Sequence, residues 1–251
     1  MNLRRWLIHA YLHLPYAFHK ATGTGAFGRR QAVYLDGAID GSGNPLKTAL
    51  LKHYVKQFHE SSCSVASVVA VLNAIREVQG NRAPPLSQMD LLDTVRTAHW
   101  KERMSDQGYN GRRGLPLPVL GQVVKSTLDT FQVQYTLLEI IAASQKHTQS
   151  QRIRKVLRQR LNDFETQGDT LIIAHFDQGV YVPALNIPHI SPVGGFDQTS
   201  GDVIVLDVDT YQPGPYKVTF DTFYKGISSN YHHILRLFGY RCGGYVYIRL
   251  G

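Results

Sequence analysis

The sequence predicts an α+β fold, a helical lobe packed on an antiparallel sheet. Helical patterns dominate the first two thirds and strand patterns the remainder, without the alternation that would signal βαβ units. One helical segment is apolar almost all round, so it belongs at the centre of the molecule rather than on its surface. In chain order, MNLRRWLIHAYLHLPYAF reads as an amphipathic helix, and Gly23 to Gly28 and Asp36 to Pro45 read as loops after it. The buried helix runs from Cys63 to Gln79, with Ser61 and Ser62 offering capping hydroxyls and Gly80 a C-terminal stop. Further helices are expected at Ser87 to Ala98, Pro118 to Thr130 and Gln151 to Glu165. Short β-branched or aromatic runs bounded by Gly, Pro or Asp predict strands at Gln132 to Leu138, Thr170 to His175, Gly179 to Leu185, Asp202 to Val208, Tyr216 to Phe220 and Gly244 to Leu250. Residues 1–50 are expected to form an N-terminal helix and loop extension, and residues 51–251 the main domain.

At 251 residues, 43% hydrophobic and 18% charged, the chain can bury a substantial core. No tract of 18 or more apolar residues occurs. The N-terminal segment has the positive start and apolar stretch of a secretory signal, but His9, His13 and Pro15 interrupt it. A net charge of +8 would suit an acidic partner, yet its densest run, Arg152, Arg154, Lys155, Arg158 and Arg160, alternates at helical spacing with Ile153, Val156, Leu157 and Leu161. Those basic residues read as a solvated helix face, and no nucleic-acid partner is expected. Only two cysteines, Cys63 and Cys242, exclude a disulfide framework and an all-cysteine metal site. That usage fits a reducing, cytoplasmic setting, with secretion or membrane association through Arg4, Arg5, Trp6 and Leu7 kept as alternatives.

Cys63 occupies the first turn of the central helix, where unpaired N–H groups and the positive end of the macrodipole favour an anion and so a nucleophilic thiolate. Gln57 stands six residues earlier in QFHESSC. A glutamine so placed resembles the papain arrangement, in which its amide and the cysteine N–H bind the oxyanion of a tetrahedral intermediate. The segment HISPVGGFDQTSGDVIVLDVDTY supplies a base and its orienting carboxylate. His189 and Asp207 flank a hairpin signal at Asp197 to Gly201, and a bulge at Gly194 and Gly195 would adjust their register. His189 would take the thiol proton, and Asp207 would fix its tautomer. Taken one at a time these residues have plainer explanations: a buried cysteine, a core histidine, an aspartate ending a strand.

QFHESSC followed by SVASVVAVLNAI, then HISPVGGFD, then VIVLDVDTY, resemble the phytochelatin synthase family, a group within the papain-like clan. The match runs from about Gln57 to Phe223, and the form is that of a short bacterial-type member without the cysteine-rich C-terminal domain of plant members. The resemblance implies a papain-like fold with the cysteine at the head of a central helix. It also implies an acyl-enzyme formed with the γ-Glu-Cys part of glutathione, with release of glycine and transfer to a second glutathione or to water. Short bacterial members tend toward hydrolysis, so hydrolysis stands beside synthesis. On this basis Cys63 is the nucleophile, His189 the acid and base, Asp207 the orienter and Gln57 the oxyanion donor, with Ser62, Ser64, Gly194, Gly195 and Thr210 as substrate-binding positions. Three departures bear on substrate identity: Ser62 and Ser64 replace the family's Tyr and Gly, Pro188 replaces a Gly, and Thr210 replaces a basic residue.

No cofactor is required for such chemistry. Cadmium or zinc thiolates would enter only as part of a synthase's substrate, a small thiol peptide. Two readings of other classes remain: a metal-binding protein using His9 with His13 or His232 with His233, and a non-catalytic membrane-docking module. Another peptide or protein amide is a further substrate option. Cys242 is expected in the core of the last strand, and the oligomeric state is left open.

Overall fold

A computed structural model describes residues 31–37, 39–182, 187–231, 233–236 and 238–251, together with Leu7, Ala10, Tyr11, His13, Leu14, Ala17 and Ala21. Those seven N-terminal residues are helical; the rest of the expected amphipathic helix, including Arg4, Arg5 and Trp6, lies outside the described residues.

Strand β1 (Val33–Tyr34) precedes α1 (Pro45–Lys52), a helix the sequence reading omits although Asn44 caps it through Lys47 N–H and Pro45 opens it. Helix α2 (Cys63–Val78) follows, with 14 of its 16 residues buried. Helix α3 (Gln88–Thr94) begins in a capping box between Ser87 and Asp90. It stops short of the expected Ala98 because Val95 is extended (φ −92°, ψ 103°), and Ala98 and His99 both adopt left-handed backbone (φ 57° and 55°) before α4 (Trp100–Arg103). Next come α5 (Leu117–Thr130), β2 (Tyr135–Ala142), α6 (His147–Thr166), β3 (Thr170–Asp177), β4 (Pro188–Phe196), β5 (Asp202–Val205), β6 (Tyr216–Thr219), α7 (Phe220–Ile227), α8 (His233–Arg236) and β7 (Gly244–Leu250). Strand β2 starts later than expected because left-handed Gln132 (φ 54°) closes α5. The strand expected at Gly179 to Leu185 is instead a 3₁₀ turn at Gln178–Val180, and residues 183–186 are not described. Strand β5 ends at Val205, three residues early.

The strands form one antiparallel sheet in the order β1-β6-β5-β4-β3-β7-β2. Helices cover both faces, so the architecture is α+β. On one face Leu171, Ile173, Ile190, Val246 and Ile248 meet Val65, Val68, Val69, Leu72 and Ile75 of α2. On the other, Ile172, Ala174, Phe176, Tyr245 and Tyr247 meet Leu157 and Leu161 of α6 and Phe223 and Ile227 of α7. This double cover explains why all eight residues of β3 are buried and its stretch Leu171 to Ala174 is continuously apolar. Each such side chain contributes about 1.5–3 kcal/mol through burial. Cys242 is not in the core of the last strand: it precedes β7, half-buried, bridging to Asn230.

Helix and sheet are tied by one hydroxyl. Ser67 Oγ sits 2.7 Å from the carbonyl of Cys63 and 3.0 Å from that of Ile190, linking the head of α2 to β4. Replacing Ser67 with Ala leaves the buried Ile190 carbonyl without this donor. The expected result, read by urea unfolding, is a loss of about 1–3 kcal/mol.

Candidate active site

Helix α2, strand β4 and the turn after β5 each bring one side chain to the same place. Cys63 is the first residue of α2, 8% exposed. The expected caps are engaged elsewhere. Ser62 Oγ accepts from His59 N–H and donates to His59 O, while Ser61 Oγ accepts from Arg113. No side chain therefore caps α2, and its first-turn N–H groups are left for an anion.

His189 is the second residue of β4, and Asp207 follows β5. The pairing Val193↔Val205 shifts to Gly195↔Ile204 across a bulge. Glycine is needed at 194, since a Cβ there would lie 2.5 Å from the Leu206 side chain. The consequence is a hydrogen bond of 2.8 Å between His189 Nε2 and Asp207 Oδ1. Nε2 is held by Asp207, and Cys63 lies close enough to the imidazole to contribute to raising its pKa.

Asp207 is fully buried. Its Oδ2 accepts from Tyr216 O–H at 2.7 Å, and its Oδ1 accepts from the N–H of Asp209 at 2.9 Å. The Phe176 ring meets His189 edge-on at 5.4 Å. Burial works against an imidazolium here, but the Asp207 carboxylate and then Cys63 outweigh it and raise the His189 pKa to about 10. Burial likewise works against the Asp207 carboxylate, and His189 together with the Asp209 and Tyr216 hydrogen bonds holds it below the usual range.

Gln57 is buried beside the turn, its N–H donating to Val208 O at 2.8 Å. Its side-chain Oε1 is buried without a partner among the described residues. Gln88 Oε1 is left the same way, so the orphaned oxygen alone does not single out Gln57.

Of the other expected substrate positions, Ser62 and Ser64 flank Cys63. Ser64 is fully buried, accepting from Trp100 Nε1 at 3.0 Å and facing Met104 Sδ. Ser62 is enclosed by its own loop. Gly194 packs on Leu206, and Gly195 faces Ile204 and Glu165. Thr210 is exposed on the turn after Asp207. Conversely, Tyr54, Lys56 and Tyr216 were not singled out from the sequence: Tyr54 and Lys56 reach Asp207 O from 153 and 151 residues away, and Tyr216 reaches Asp207 Oδ2 from the strand beside β5.

Of the histidine pairs, His9 and His232 lie outside the described residues. His59, Glu60 and Asp106 place ligand-type atoms within 4.8 Å of one another. Arg113 already supplies that cluster with a cation, pairing with Glu60 and lying 3.9 Å from Asp106. His175, fully buried, bonds Tyr231 O–H at 2.9 Å and Leu115 O at 3.1 Å, and burial lowers its pKa to about 4. Among the described residues no helix is long and apolar enough to cross a membrane.

The pKa shifts set a pH window. His189 is raised, so its share of stability is complete below its ordinary 6.5 and fades as pH rises toward about 10; Asp207 is lowered, so its share is complete above 3.8 and is lost on further acidification. Asp207→Asn should therefore destabilise most between about pH 4 and 6.5, by about 3 kcal/mol. Denaturant curves of both proteins across pH check this, with the difference expected to shrink toward pH 10.

No curated protein matches the chain. The family model described as phytochelatin synthase matches residues 35–234, a span that contains Gln57, Cys63, His189 and Asp207. The match covers most of the sequence and implies an enzyme; the chain belongs to the phytochelatin synthase family.

Proposed function

We propose that the chain is a papain-like cysteine enzyme that cleaves the Cys–Gly amide of glutathione or a close relative through a thioester on Cys63. The observation that carries this reading is the line from Cys63 through His189 to Asp207. Family membership supports γ-glutamylcysteinyl transfer as the reaction class.

In the first half-reaction the thiol proton of Cys63 already resides on His189 as an imidazolium, and the Cys63 thiolate attacks the carbonyl carbon of the scissile amide. The oxyanion that forms is received by the Cys63 N–H at the head of α2 and by the Gln57 side-chain N–H group. The C–N bond then breaks as imidazolium returns the proton to the departing glycine nitrogen. Asp207 holds the ring and its charge throughout. In the second half-reaction the same imidazole removes a proton from water, or from the amino group of a second γ-Glu-Cys peptide, which attacks the thioester and regenerates the thiol. Water gives a hydrolase; the amine gives a transpeptidase. The acyl chemistry needs no cofactor, and cadmium or zinc would enter as thiolate complexes of the substrate.

Buried Ser62 and Ser64, and exposed Thr210, leave substrate recognition to other side chains. This favours a second reading in which the amide belongs to a different thiol peptide. Incubation with glutathione, with and without cadmium, tests both. Native protein should release glycine, and Cys63→Ala should lower release by at least about 1,000-fold. Glycine release unchanged in Cys63→Ala contradicts the proposed nucleophile; an active-site thiol that reacts with iodoacetamide in a protein inert to glutathione moves the substrate to another amide.

A further inference from the structure

The turn after β5 is folded around a cation. Its carboxylates take its own amide hydrogens: Asp209 N–H donates to Asp207 Oδ1 at 2.9 Å, and Tyr211 N–H to Asp209 Oδ1 at 3.0 Å. Three backbone carbonyls are thereby left to converge on one point. Lys56 Nζ occupies it, 2.7 Å from Asp207 O, 3.0 Å from Asp209 O and 3.2 Å from Gln212 O. An ammonium carries three donors, so all of them are engaged by the turn.

Lys56 forms no side-chain ion pair among the described residues, although it is half-buried. Burial opposes its charge, while the Asp207 and Asp209 carboxylates support it. Its neighbours reach the same turn: the Tyr54 hydroxyl donates to Asp207 O and the Gln57 N–H to Val208 O. Gln88 Nε2 fixes the strap from the other side, donating to Lys56 O at 2.9 Å. Residues 54–57 thus carry the Gln57 amide at one end and grip the backbone of Asp207 along their length.

We propose that Lys56 is a positioning residue whose ammonium, seated among the carbonyls of Asp207, Asp209 and Gln212, locks the Asp207 carboxylate against His189 and joins the Gln57 amide to the same turn. It rests on the reading of Cys63 and His189 as the reacting pair. Thr210, where the family resemblance implies a basic side chain, is exposed on this turn; the cation here lies beneath it and is committed to backbone. Having no donor left for substrate, Lys56 acts on the chemical step rather than on substrate affinity.

The test uses the full chain, with two readouts and circular dichroism as a folding control. One readout is glycine release from glutathione. The other is iodoacetamide alkylation of Cys63 near pH 6.5, scored by peptide mass spectrometry so that Cys242 is counted separately. Lys56→Met should lower kcat by about 30-fold with KM within about two-fold, and slow Cys63 alkylation about ten-fold. Methylammonium, which fits the vacated carbonyls, should restore alkylation and kcat in Lys56→Ala but leave Asp207→Asn unchanged. Should Lys56→Met fail to fold, Lys56→Gln, which keeps two N–H donors, carries the same readouts with smaller losses. Native kcat and native alkylation in a folded Lys56 variant would overturn the proposal, as would losses that methylammonium leaves untouched. If native protein does not act on glutathione, the functional reading fails by itself, and the alkylation arm still decides the role of Lys56.

Discussion

The hydrogen bond between His189 and Asp207 is the contact on which the architecture of the site depends. It is buried at both ends, so the charges on imidazole and carboxylate are stable only together. Much of the surrounding structure serves that constraint. The β4 bulge at Gly194 sets the register, Tyr216 and the Asp209 N–H satisfy the carboxylate, and Phe176 closes one side of the imidazole. An imidazolium held in this way is the natural counter-ion for a thiolate at an uncapped helix N-terminus.

The central helix and the hairpin were legible from the residues because both are local patterns. The apolar run from Val65 to Ile75 can only be buried, and the turn residues at Asp197 to Gly201 can only reverse the chain. The bulge was legible too, from two adjacent glycines between strand residues. What failed was the role of small polar residues. Ser61 and Ser62 have the chemistry of caps, yet His59 and Arg113 claim their hydroxyls through a loop whose path no spacing reveals. Ser64 next to the nucleophile invited a ligand role, but Trp100, brought in by α4, takes its hydroxyl.

Boundaries moved for a related reason. Helix α3 stops at Thr94 rather than Ala98 because Val95 is extended, and two consecutive left-handed residues, Ala98 and His99, then turn the chain so that Trp100 and Met104 reach Ser64. Arg103 secures that turn through the carbonyl of Ala98 at 2.9 Å. Neither alanine nor histidine advertises such a backbone conformation, and tertiary contact imposes it. The basic face of α6 is solvated as read at Arg152, Lys155 and Arg158, while Arg154, Arg158 and Arg160 also lie over Tyr224, Phe220 and Tyr247 respectively. Its charge is partly used within the fold, which further weakens any reading of that helix as a polyanion surface.

The protonation state of His189 at neutral pH tests the whole account most directly. In protein labelled with ¹⁵N in the imidazole rings, both ring nitrogens of His189 should carry the imidazolium shift at pH 7.5, and the Cys63→Ala or Asp207→Asn change should return the ring toward neutrality. A neutral His189 ring in the native protein at that pH would contradict the buried ion pair and the catalytic reading built on it.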